Sequence, residues 1–140
     1  MHTKPTMCAV ALFALLVAGC GQRQVSYQRD INPILQANCA VCHQPGAPGF
    51  EQSGFSVMSY ESVIKGTKYG SVIDPGSSIG STLVRLLRHQ ADTTINMPKN
   101  YKADMAQHAK FILPGVNARD LPATDVEMIA TWVDQGAKNN

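Results

Sequence analysis

The residues with the clearest chemistry are Cys39-Ala40-Val41-Cys42-His43, which read C-x-x-C-H. Two thiols three positions apart lie on one helical turn, where each can add to a vinyl group of a haem. The next residue, His43, then offers a neutral imidazole to the iron, and its second ring nitrogen requires an acceptor elsewhere in the fold. The same cysteine spacing also serves redox disulfides and half-sites for zinc. Zinc needs about four ligands, and this chain has no second cysteine pair. A thioredoxin-like disulfide needs a βαβ context, whereas residues 44–54 are rich in Gly, Pro and polar side chains. Covalent haem attachment is the chemistry the pattern favours.

A haem iron held by His43 leaves its far side to be filled. Asn96-Met97-Pro98 is the best candidate. A residue before proline is pushed out of the α region, so Met97 would sit in an extended loop able to reach the iron. Thioether ligation opposite histidine raises the iron potential. Met58, Met105, Met128, His89 and His108 are the rivals. Met128 falls in an apolar helical stripe that suits packing, and Met58 is close in sequence to the His43 side.

These groups need helices to position them. Residues 30–38 carry Ile31, Ile34 and Leu35 at helical spacing, with Asp30 as N-cap and Pro33 in the first turn. The apolar row stops at Asn38, just before Cys39. Residues 44–54 read as loop. Ser59 should cap a short helix running to Lys65 and ended by Gly66. The glycines at 66, 70, 76 and 80 read as turn chemistry, or as places where backbone passes close to a flat ring. Their spacing is not that of a phosphate-binding loop. A helix beginning at Ser78 or Ser81 carries Leu83, Leu86 and Leu87 inward and Arg85 and Arg88 outward. A last helix starts with the capping-box pattern Thr124-x-x-Glu127. It carries Val126, Ile129, Ala130 and Val133 on one face with Trp132 beside them, and stops at Gly136. Trp132 reads as core where this helix meets the first one, a role in electron passage being the weaker alternative. Residues 101–111 suggest one more short helix.

The N-terminus reads as an export segment. Residues 1–19 have a short polar start and then an apolar run too short for a membrane span of about 20 residues. The run ends in Val17-Ala18-Gly19-Cys20, which resembles a bacterial lipobox. That resemblance implies cleavage before Cys20 and a lipid on its thiol, with Cys8 discarded. Gly21, which is not Asp, then points by the same likeness to the outer membrane. The domain plan is therefore a signal peptide (1–19), a tether (20–28) and one folded domain (29–140). A formal charge of +2 makes no electrostatic case for nucleic acid. With two cysteines left for the domain, a disulfide scaffold is disfavoured.

Taken in order, several features resemble the small single-haem cytochromes c, most closely their planctomycete-type branch. They are Asp-Ile-Asn-Pro-Ile-Leu, C-x-x-C-H, the Gly-rich Val-Ile-Asp-Pro-Gly-Ser, Met-Pro, and the final Trp-Val-Asp-Gln-Gly-Ala. The resemblance covers residues 26–138. It implies an all-α fold in which the N- and C-terminal helices pack together around one covalent haem c. It also implies thioethers at Cys39 and Cys42 and axial ligands His43 and Met97. The expected function is electron transfer between redox protein partners by an exported, lipid-anchored protein facing the periplasm, not an enzyme. The alternatives are a haem enzyme or a gas or peroxide sensor with an open distal site, and an accessory haem subunit anchoring a larger redox complex. Residues 99–120 form a longer stretch than the family has at that point.

Overall fold

The computed structural model describes residues 22–98 and 121–140. Among these the regular structure is helical, with no strand and one isolated antiparallel bridge, Thr67–Gly70. The expected all-α class is observed. Residues 1–21, with the export segment and Cys20, lie outside the described residues, as do residues 99–120 with Met105, His108 and the helix expected at 101–111.

The first helix starts earlier than its sequence suggests. A π-helical turn, Tyr27–Ile31, runs straight into α1 (Asn32–Asn38). Its N-cap is Ser26, not Asp30: Ser26 Oγ accepts from Arg29 N (3.3 Å), while Asp30 Oδ2 accepts from Ser26 N (2.8 Å). Asp30 therefore caps from inside the helix by reaching back, as the acidic partner of a capping box does. The wide turn buries both Tyr27 and Ile31, and Leu35 extends the buried face. The tether expected over 20–28 is correspondingly shorter, because Val25 and Tyr27 belong to the core. Three backbone donors find acceptors on the C-terminal segment: Val25 N on Gln135 Oε1 (2.7 Å), Tyr27 N on Asn140 Oδ1 (3.0 Å) and Gln28 N on Asn140 O (3.2 Å). Such long-range pairing has no local sequence signal.

The last helix, α5 (Ala123–Asp134), buries Val126, Ile129, Ala130, Trp132 and Val133, the face expected of it. Its expected capping box does not form. Pro122 is the N-cap, and its carbonyl accepts from Asp125 N (2.9 Å) and Val126 N (3.2 Å), so Thr124 lies inside the first turn. Glu127 instead holds Arg88 through two contacts, at 3.1 and 2.9 Å. At the other end Gly136 N donates to Val133 O and Ala137 N to Trp132 O, both at 2.9 Å. With Gly136 at φ +96° this is a Schellman close.

The first turn packs on α5. The seam is aromatic: the Tyr27 ring lies 5.1 Å from Tyr60 and 5.5 Å from Trp132. Trp132 Nε1 donates to Lys138 O and the Tyr60 hydroxyl to Ala137 O, each at 2.9 Å. Large aromatics carry much of a small core, and their polar tips need such partners when buried. Burial, together with Glu61 and Tyr60 nearby, pushes the Tyr27 phenol up to about 12.

Between these ends lie three short helices. Pro48–Ser53 forms α2, where loop was expected from the Gly and Pro content. Pro48 enters at the first turn, where a missing N–H costs nothing, and Gly54 closes the helix at φ +72°. Next is α3 (Tyr60–Lys65), capped by Ser59 and ended at Gly66 as expected, with Ser62 completing the capping box. Last is α4 (Thr82–Leu87), which turns Leu83, Val84 and Leu87 inward and leaves Leu86 half-buried. The loop before α4 is fixed by Ser81, whose hydroxyl accepts from Asp74 N (2.8 Å) and donates to Ser77 O (2.9 Å). Asp134 of α5 accepts from Ser78 N and Oγ. Among the described residues no helix is long and apolar enough to cross a membrane.

Candidate haem-binding site

The C-x-x-C-H residues fold as a tight turn on the end of α1. Cys39 N donates to Leu35 O (2.9 Å), continuing the helical ladder. Cys42 N and His43 N then both donate to Cys39 O, at 3.1 and 2.9 Å. This brings the two thiols and the imidazole onto one turn, as the spacing requires. Both cysteines are half-buried. Desolvation, with Cys42 adding to it, pushes the Cys39 thiol up to about 12. A protonated thiol is a poor nucleophile toward oxidants and disulfides.

His43 is held by the segment that follows it. Its Nδ1 lies 3.3 Å from Phe55 O. A carbonyl can only accept, so Nδ1 carries the hydrogen and the lone pair belongs to Nε2. Burial pulls the imidazole below its usual range, with the Phe55 carbonyl opposing that shift. The result is a neutral ring with one nitrogen oriented by the protein and the other available as a metal ligand. The Phe55 side chain adds an edge contact, its centroid 5.3 Å from the imidazole at 70°.

Sequence reasoning missed Phe55 as a partner of His43, and it missed α2. Phe55 acts through a backbone carbonyl, which any residue type offers, so its identity carried no signal. The signal for α2 was present: Pro48 and Gly54 bracket a helix of six residues.

Met97 is partly buried and packs against the same hydrophobic core as Cys39. Its N–H donates to Leu86 O at 3.2 Å, so α4 anchors the loop that carries it. The rivals in the described residues are situated differently. Met58 is half exposed, His89 is exposed with φ +54°, and Met128 packs against the core from α5.

Two thiols on one turn, an imidazole with a fixed tautomer and a core-facing thioether form a donor set that suits a covalently bound haem. A helical fold with no strand among the described residues, built on this motif, is consistent with an all-α cytochrome c-like fold. Comparison with known proteins agrees: residues 39–100 match the family model described as Planctomycete cytochrome C. Over 128 residues the chain is also 27% identical to hydrazine synthase subunit alpha of Kuenenia stuttgartiensis. That alignment takes in 84% of this chain and 16% of the relative, so the chain spans about a sixth of that protein's length. No solved structure matches significantly. Over residues 39–100 the match supports a planctomycete-type cytochrome c, and that likeness suggests a haem-binding redox function.

Proposed function

We propose that this protein is a one-electron carrier with a single haem c, held by Cys39 and Cys42 and ligated by His43 and Met97. The observation that carries this reading is the pairing of one C-x-x-C-H turn with a Phe55-oriented His43. When bound, the haem supplies an iron centre that cycles between two oxidation states. The protein's own part is positional. Cys39 and Cys42 fix the ring to α1, Phe55 O keeps the Nε2 lone pair of His43 available, and Leu86 O holds Met97 in its loop. With His43 and Met97 as the residues that would hold the iron, electron transfer would need no side chain to act as acid or base. The carrier would be exported and lipid-anchored at Cys20 on the periplasmic face of the outer membrane. There it would exchange electrons with a protein donor and a protein acceptor.

The likeness to one part of a large synthase subunit favours a second reading, in which the domain serves as the haem module of a bigger redox assembly. The deciding experiment uses the exported protein. Its pyridine haemochrome spectrum should show thioether-bound haem at one per chain, and a redox titration should fit one reversible one-electron step. The reduced protein should bind carbon monoxide poorly. Ready carbon monoxide binding would instead indicate an open iron and an enzymatic or sensing role. Stable co-purification with a larger enzyme would support the module reading.

A further inference from the structure

The His43 imidazole is enclosed by a segment that contains no residue of the C-x-x-C-H motif. Phe55 supplies a carbonyl to Nδ1 at 3.3 Å and an aromatic edge at 5.3 Å between centroids. The third side is the backbone of Gly49. A Cβ at that position would lie 2.9 Å from His43 Cε1 and 2.8 Å from Cys42 O. Carbon atoms do not pack this closely, so any larger residue displaces the His43 ring and forces the Cys42 backbone and α2 apart.

Helix α2 has little freedom to yield. Phe50 N donates to Cys42 O (2.9 Å), and Ser53 Oγ donates to Gly49 O (2.5 Å). Lys68 N donates to Ser53 O (2.8 Å), tying the far end to the 67–70 turn. Turning the imidazole would relieve only the His43 contact; the approach to the Cys42 carbonyl is backbone against backbone, so a Cβ at position 49 also displaces the 42–43 turn that carries the ring. Glycine inside a helix is disfavoured relative to alanine, so the close approach to the Cys42 carbonyl and the His43 ring gives a reason for glycine at this position.

Resting on the reading of His43 as axial ligand, we propose that Gly49 is a positioning residue. Together with Phe55 it fixes the rotation of the His43 ring, and through that the electronic state of the bound iron. The orientation of an axial imidazole and the hydrogen bond on its second nitrogen are levers on a haem centre. Both are set here by the 49–55 segment.

The test uses the exported holoprotein. Gly49→Ala is compared with Gln52→Ala, an exposed position on the same helix. The readouts are the electron paramagnetic resonance g values of the oxidised protein and its midpoint potential. Gly49→Ala should shift both, while Gln52→Ala should match the parent. A Gly49→Ala protein with bound haem, parental g values and a parental potential overturns the proposal. If Gly49→Ala yields no holoprotein, Ser53→Ala decides. It removes the hydroxyl that ties Gly49 O to Phe55 N without adding bulk. Broadened or shifted g values support the proposal, and unchanged ones overturn it. Haem content of the parent, measured first, separates the two levels: a parent without covalent haem removes the His43 reading itself, and this inference with it.

Discussion

Replacing Trp132 by Phe tests the aromatic seam that joins the first turn to α5. Trp132 is 1% exposed, and its Nε1–H reaches Lys138 O at 2.9 Å. Phenylalanine keeps an aromatic ring but deletes the donor. The lost hydrogen bond costs about 1 kcal/mol, with the Lys138 carbonyl left to find another partner. The smaller ring leaves roughly 40 Å³ unfilled, which at about 24 cal/mol per Å³ adds about 1 kcal/mol. A total near 2 kcal/mol in a domain of about 100 residues corresponds to a fall in Tm of roughly 8–16 °C. Thermal unfolding followed by far-UV circular dichroism measures the fall. The midpoint potential and the electron-exchange rate with a small soluble mediator should be unchanged, because the indole packs and does not conduct. A Tm within about 3 °C of the parent, or a slowed exchange rate at parental stability, would refute the packing argument.

Two further predictions concern the site and the N-terminal cap. Met97→Ala should lower the midpoint potential, change the spin state of the oxidised haem and abolish the weak Met–iron charge-transfer band, all read by optical spectroscopy and redox titration. An unchanged spectrum would falsify the assignment of Met97 as ligand. Asp30 is held well below the usual carboxylate range by hydrogen bonds from Arg23, from the Ser26 backbone and from Arg29. A carboxyl depressed in the folded state stabilises it above its unfolded value, near 3.8, and that stabilisation fades as pH falls below it. Asp30→Asn should therefore be less stable than the parent at neutral pH, and the difference should shrink on acidification below about pH 4. Urea unfolding at several pH values checks this, and because Arg23 is 60% exposed the effect should weaken in salt. A constant difference across that range would count against the ionic cap.

The C-x-x-C-H turn was legible in the sequence because its spacing lies within five residues. Cys39, Cys42 and His43 must share one turn, whatever surrounds them. The apolar faces of α1 and α5, the Ser59 cap and the Gly136 stop were legible for a related reason: helical periodicity and terminal chemistry act over a few residues. The two departures at helix starts are local as well. Asp30 caps its helix from within while Ser26 holds the N-cap position, and Thr124 sits inside a first turn that Pro122 caps. At the first start Ser26 and Asp30 both offer a side-chain oxygen, and Ser26 Oγ also donates to Asn140 O; at the second Pro122 caps through its backbone carbonyl alone.

What the chain's sequence determined by itself was therefore the shared turn at 39–43 and the identity of most of the described helices. Tertiary structure alone decided how His43 is held: the acceptor on its Nδ1 is the Phe55 carbonyl, twelve positions on, and the limit on its ring is the backbone of Gly49. It also decided that Val25 and Tyr27 belong to the core, through acceptors on Gln135 and Asn140. Backbone carbonyls and close approaches carry no residue-type signature, so they become visible only when the chain has folded and brought them together.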